Sequence, residues 1–541
     1  MRRLSEKTRD LLQRLHGDES YLRKFIWQQD FPLSIFDEIA TEGEALAIPY
    51  LTTFLLNKQA TVRHAAAQTI GRLVGTVMPT EFAQLDEACR NYWSYQSSES
   101  AWPHLKPAEV KKLGALTRAS AVFGIASFHG SGFIREAAVN ELALFNDGSE
   151  LPFLLIRLND WVEAVRESST TAILQRIRPD YVRHFLKNLH LVFRLRSCGR
   201  NQHEAILARV TVLLQEPSAV PILREGILSN DRWLRRESFQ MAIAKRSQAW
   251  TMLLREILED TDPIMRLLAA RHVFARLDEP ELLPILLDLT RDRFATVRCE
   301  ALSLLANRFP GESLGKLETA LLDGSASVRA TARYYIKAQK PELNFAELYR
   351  RSLNEPLATR QRAAILGLAE TGNASDSKAL LMKLDAPELS VQKAAIYALA
   401  TLDGDNHLQR FLAALTNQHP GVSNEATRAL AKRTNTIIDL IHMLFNNPAP
   451  AHVRTNLFKL TLNLPFWSRG IFLFEALRDR DDHIIEMGRR ALQVWLKKST
   501  NMAAPPSGSE VSELINALKA SKGMLALHEH QEFEFLLRTW K

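Results

Sequence analysis

Apolar positions along most of this chain return every three or four residues, the spacing of a helix with one buried face. Turn residues cut the pattern into short runs, and the runs come in pairs. The clearest stretch is residues 258–323, where an acidic residue stands six positions ahead of an arginine: Asp260 before Arg266, Asp292 before Arg298, Asp323 before Arg329. Asp160 before Arg166 has the same spacing, and an apolar helical run follows each arginine. The phase continues through Arg266, Arg298, Arg329, Arg360, Gln392, Ser423 and Arg454 in steps of 31 or 32 residues.

A period in that range means stacked helix pairs. The expected fold is all-α, an α-solenoid of about fourteen helix pairs with capping helices at both ends. One such pair is too small to bury a core alone. Stacking covers both faces of each inner pair and explains the small residues after the arginines, such as Ala269-Ala270, Ala363-Ala364 and Ala394-Ala395. The chain divides into capping helices over 1–42, the repeat array over 43–498, a linker over 499–509 and C-terminal helices over 510–541. Two units break register, near 76–130 and 176–230. Each acidic residue is expected to open the second helix as its N-cap. Each arginine is expected to reach an Asp or Asn of a neighbouring turn, giving a ladder of charge-assisted hydrogen bonds.

These Asp–Arg pairs, the weaker Asn57/Arg63, Asn230/Arg236 and Asn354/Arg360 pairs, and the alanines that follow them resemble the HEAT-repeat family. The closest likeness is to the short bacterial type also found in phycobilin lyase subunits. The resemblance covers roughly residues 43–498. It implies a helical array with an extended concave binding face. It does not imply one activity, because a fold of this kind hosts many roles. The pattern departs at Gln392, Ser423 and Glu486, where the ladder is expected to weaken.

Composition adds little to this picture. The net charge of +8 over 541 residues is mild. Cys89, Cys198 and Cys299 form no Cys-x-x-Cys pair, so neither a disulfide framework nor a zinc knuckle is expected, and a reducing, cytoplasmic setting is the natural reading. The N-terminal residues turn polar at once, without a signal-peptide core. No uncharged apolar run approaches the ~20 residues of a membrane span.

The search for chemistry gives no catalytic set. The His-Glu dyads at His203 and His528 are too far apart, and out of phase, for the repeated iron-binding dyads of deoxyhypusine hydroxylases, which share this repeat. Residues 311–316 approximate a phosphate loop but are one residue short and lie between repeat helices. No metal or other cofactor is expected. The phase-locked arginines read as structure, not as an anion track.

Two stretches stand out as candidate partner-binding surfaces. Residues 176–209 hold eight Arg or Lys against two acids. Arg176, Arg183, Lys187, His190 and Arg194 follow at helical spacing, with Arg196 and Arg200 extending the row. Such a ridge is either a solvated helix face or an electrostatic dock for an acidic protein or a phosphate backbone. The insertion carrying Tyr92, Trp93, Tyr95 and Trp102 is either a loop packed on neighbouring helices or a binding loop. The acidic, aromatic helix around residues 528–535 is either a terminal cap or a tethered ligand. The favoured reading is a non-enzymatic scaffold that grips a protein partner. The alternatives are a nucleic-acid binder, resembling the alkylpurine DNA glycosylases built on HEAT-like helices, and a bilin-lyase-like modifying enzyme.

Overall fold

Apolar runs at helical spacing become helices here, and all regular structure among the described residues is helical. The computed structural model describes residues 3–16, 33–94, 101–200, 203–244, 250–445, 447, 449–499, 502 and 504–538. They fall into two compact units, Met1–His272 and Val273–Lys541.

In the second unit the pairs are regular. Glu279–Leu289 packs on Ala295–Arg308, Pro310–Ala320 on Ala326–Gln339, and Phe345–Arg351 on Ala358–Thr371. Ser377–Leu381 with Leu389–Asp403, and Leu408–Leu415 with Pro420–Leu430, continue the series. Short turns between partners make each pair an αα-hairpin. The second helices also pack on one another, from Ala358–Thr371 to Leu389–Asp403, Pro420–Leu430 and Ala451–Thr461. The buried alanines at 363, 364, 394, 395 and 426 permit this close row. Gly367 instead lets the two helices of its own pair close up, since a Cβ there would lie 2.3 Å from the Tyr349 ring on Phe345–Arg351.

The unit ends in cis on its own chain. A capping box, with Ser507 Oγ accepting from the Glu510 N–H at 3.3 Å and the Ser507 N–H donating to Glu510 at 2.9 Å, opens Gly508–Ala520. The acidic helix Leu527–Arg538 then sets Phe533 against Phe474 and Trp495, with ring centroids 5.0 and 5.8 Å apart. Phe533, Leu536 and Leu537 are buried in one continuous core with residues from Leu302 onward. Of the two readings of this helix, the terminal cap is the one the coordinates display.

The first unit is less regular. Gly132–Leu142 packs on Glu163–Arg176, which pairs with Leu151–Arg157, and Val220–Ile227 pairs with Arg232–Ala244. Between 82 and 126, Phe82–Ser94 leads through the short helices Trp102–His104, Pro107–Val110 and Lys111–Ala115 to Ala119–Ala126. Between 182 and 214 the chain makes Val182–Lys187, Leu189–Arg194 and Glu204–Leu214.

Candidate functional site

The arginine ladder has a geometry that spacing alone did not reveal. Asp160, Asp292 and Asp323 are not N-caps. The N-cap positions belong to Val162, Phe294 and Ser325, none of which makes a side-chain cap bond. Each aspartate sits two residues earlier and accepts the backbone N–H two residues on, from Val162 at 2.9 Å, Phe294 at 2.6 Å and Ser325 at 2.8 Å. This is an Asx-turn, which shapes the bend before the helix instead of closing its first turn.

The arginine six residues later returns to the same bend. Arg166 donates to the Asp160 carbonyl at 2.8 Å, Arg266 to that of Asp260 at 2.7 Å, Arg298 to that of Asp292 at 2.6 Å, and Arg329 to that of Asp323 at 2.7 Å. At Arg135, Arg236 and Arg298 the remaining guanidinium edge meets the carboxylate of the following repeat. Arg298 grips Asp323 through two bonds at 2.9 and 2.7 Å, and Arg236 grips Asp262 at 2.8 and 2.9 Å. Arg135 holds Asp160 in the same way at 2.9 and 2.7 Å, and both side chains are buried. Burial pushes the Asp160 carboxyl up, but the hydrogen bond from Arg135 and the charge of Arg157 outweigh it and hold it below the usual range. These fork-shaped pairs are consumed by the fold and leave no free anion site.

The phase slips where the next turn offers no aspartate. Arg329 turns instead to Glu370, which also takes Arg333 at 2.7 Å. At the following rung the expected Arg360 is displaced by its neighbour, because Gln361 donates to the Glu355 carbonyl at 2.7 Å while Arg360 reaches only the Glu355 carboxylate at 3.5 Å. Gln392 repeats the carbonyl bond to Ala386 at 2.7 Å, and Ser423 bonds Leu415 at 2.6 Å and accepts from Asn456 at 2.9 Å. Neutral groups keep the turn here but supply no charge.

The basic ridge does not form as expected. The helix through it breaks at Asn188, whose side chain bonds the His184 carbonyl at 2.9 Å, so the spacing from 183 to 194 no longer defines one face. Arg176 is buried, bonded to Glu150 at 2.6 Å and to the Ala172 carbonyl at 2.7 Å. Tyr181 donates to the same carboxylate, and burial together with that bond pushes its hydroxyl up to about 12. His190 stacks on Trp233 at 4.0 Å and meets Asp231 at 2.6 Å. Arg183 pairs with Glu225 at 2.6 Å, and Arg196 lies over Phe193 at 3.9 Å. Lys187, Arg194 and Arg200 are exposed. A local acid supply, invisible to counting within 176–209, neutralises much of the run.

The aromatic insertion is inside the molecule. Trp102 is fully buried. Trp93 is buried too, its indole N–H facing Thr52 Oγ1 at 3.1 Å. Tyr92 is half-buried against Tyr50, with centroids 4.1 Å apart. Tyr95 lies outside the described residues. These tryptophans anchor the insertion to the first helices and are not a surface for a partner.

A face that the sequence reading passed over lies on the row of second helices in the second unit. A groove of about 440 Å³ is lined by Arg362, Leu366, Lys393, Tyr397, Glu425 and Arg428. Tyr397 in this lining is 47% exposed. Neither Arg362 nor Lys393 has a side-chain hydrogen bond or ion pair among the described residues, whereas Arg428 holds Glu425 at 2.8 Å. The signal was present in the repeat phase: Arg362 and Lys393 are 31 apart, and so are Leu366, Tyr397 and Arg428.

No cluster of three or more His, Cys, Asp or Glu among the described residues is arranged to hold a metal ion. No single helix among them is long and apolar enough to cross a membrane. No family model matches the chain, and no curated protein matches it. Among solved structures, YibA of E. coli is 17% identical over 44% of this chain and 90% of its own, with a TM-score of 0.24. Importin beta is 13% identical over 98% of this chain and 91% of its own, with a TM-score of 0.34. The karyopherin Kap121p, bound to the SUMO protease Ulp1p, is 13% identical over 99% and 58%, with a TM-score of 0.32. Those values carry nothing about function. The helix pairs, their turn aspartates and the arginine that staples one repeat to the next give the fold: each unit is an all-α stack of helix pairs of the HEAT-repeat kind.

Proposed function

We propose that this chain is a scaffold that binds a protein partner along the second-helix row of its second unit. One observation carries the reading: two cations without side-chain partners among the described residues, Arg362 and Lys393, border a groove that also holds the half-exposed ring of Tyr397. The ladder arginines of this unit, such as Arg298 and Arg329, are paired within the fold, whereas Arg362 and Lys393 are not, which leaves them for another ligand. Tyrosine and arginine are the residues that most often dominate protein interfaces. The cations favour an acidic segment, and the ring supplies apolar area at low entropic cost.

A photo-crosslinking residue at Tyr397 should capture a discrete protein, and the pair R362E/K393E should abolish capture while leaving the helical circular dichroism intact. R183E/K187E/R194E in the first unit serves as the comparison. Capture lost only in that second set would move the binding face to the first unit. Binding of duplex or single-stranded DNA that weakens steeply with salt would replace the protein reading with nucleic acid.

A further inference from the structure

A separate cleft lies in the first unit, bounded by the end of Ala60–Thr76, the start of Ala119–Ala126, the bend at 145–149 and the helix Val182–Lys187. Its volume is about 510 Å³, within the range of small-molecule sites. The rings of Phe82, Phe145 and Phe153 with Val74 and Pro152 make apolar walls. Three basic side chains, Arg118, His184 and Lys187, share the same lining.

Two features mark it as a built place. Arg118 has φ +56°, ψ +37°, the only non-glycine residue among those described with positive φ. The left-handed region is costly for a residue with a Cβ, and such strain concentrates at functional positions. It lays the arginine stem across Gly71, where a Cβ would come within 2.5 Å of Arg118 Cγ. On the opposite wall Gly148, at φ +83°, lets the His184 ring approach so closely that a Cβ would lie 2.0 Å from Nδ1.

The charges are also out of balance. Neither Arg118 nor Lys187 has a side-chain partner among the described residues. The carboxylate in the lining, Asp147, is engaged by Ser149, which donates its N–H at 3.0 Å and its hydroxyl at 2.6 Å to Oδ1. Ser149 is met in turn by Ser120 at 2.6 Å. The serine holds one oxygen of the acid without removing its charge, so two open cations, Arg118 and Lys187, stand against one carboxylate beside the aromatic walls.

We infer that this cleft binds a small amphiphilic anion, with an acyl or aryl body against the phenylalanines and a carboxylate or phosphate head between Arg118 and Lys187. An apolar wall alone would accept a neutral body equally, so the cations set the class of head group. Unpaired guanidinium and ammonium groups gain most from an anion where nearby apolar surface thins the water.

The test uses the full chain and the fluorescent aryl sulfonate 1-anilinonaphthalene-8-sulfonate. It should bind saturably at one site, be displaced by decanoate or decyl phosphate, and resist decanol. The stronger of the two acids tells a carboxylate ligand from a phosphate one. R118G should lose at least tenfold in affinity without lowering the melting temperature, because glycine accepts that φ freely. K187A, which leaves the backbone alone, should weaken the probe similarly, and R362E should leave it unchanged. The inference is overturned by the absence of saturable binding, by displacement with decanol equal to that with decanoate, or by full affinity in K187A. A melting temperature several degrees lower in R118G would make Arg118 a structural bracket and overturn it as well.

Discussion

Arg135, Arg157 and Asp160 illustrate how much the ladder depends on single charges. All three are buried, and Asp160 serves both arginines, at 2.7 Å from Arg135 and 2.9 Å from Arg157. Asp160→Asn keeps the shape of the turn but leaves the buried Arg135 without its counter-charge, while Arg157 retains Asp86. The expected loss is about 3–5 kcal/mol, read by urea unfolding. His129, on the adjoining turn, accepts the Ser131 N–H on Nδ1 at 3.0 Å, so Nε2 carries the proton facing the Trp102 carbonyl at 3.2 Å. Burial is the main reason its pKa lies below the ordinary value, and a proton on Nδ1 would cost that bond. The unfolded ring therefore takes up a proton at higher pH than the folded one. Stability should be full above about pH 6.5 and fall as pH drops from there towards the folded pKa, with no further effect below it. In His129→Gln the melting temperature should change less between pH 7 and pH 5 than in the parent.

At the scale of elements, the rung between Glu355 and Gln361 separates sequence phase from physical role. Periodicity points to Arg360, yet the bond that closes the turn comes from Gln361. Gln361→Ala should cost about 1 kcal/mol, the value of a partly buried hydrogen bond. Arg360→Ala should cost under about 0.5 kcal/mol, as for an exposed ion pair. Reversal of that order in chemical unfolding would restore the arginine as the rung. The break at Asn188 belongs to the same scale. Apolar spacing ran through it without interruption, but Asn188 is itself buried, and its amide bonds the preceding turn and splits the helix in two.

At the scale of the molecule, the helix Leu527–Arg538 spends one face, Phe533, Leu536 and Leu537, on the core of the second unit and turns the other, with Glu532 and Phe535, outward. Phe533, Leu536 and Leu537 are 2, 6 and 5% exposed. Ending the chain at residue 526 removes about 2 kcal/mol of burial for each of them. Hydrogen exchange over residues 466–520 should then speed up markedly, with the first unit unchanged. Protection left intact over that stretch would show that the helix is not part of the fold.

Repeat phase, helix pairing and the small residues between second helices were legible in the chain because each follows from spacing along one helix or between copies of one unit. Partnership was not legible. Whether Arg176 faces solvent or Glu150, whether Trp102 projects or fills the core, and whether Arg362 keeps a free charge all depend on side chains tens of residues away. Charge counting along a segment misses acids such as Glu225 and Asp231 that fold back on it. Periodicity fixes the face on which a residue stands; only the packing of other elements against that face decides whether it is buried, neutralised or left to bind.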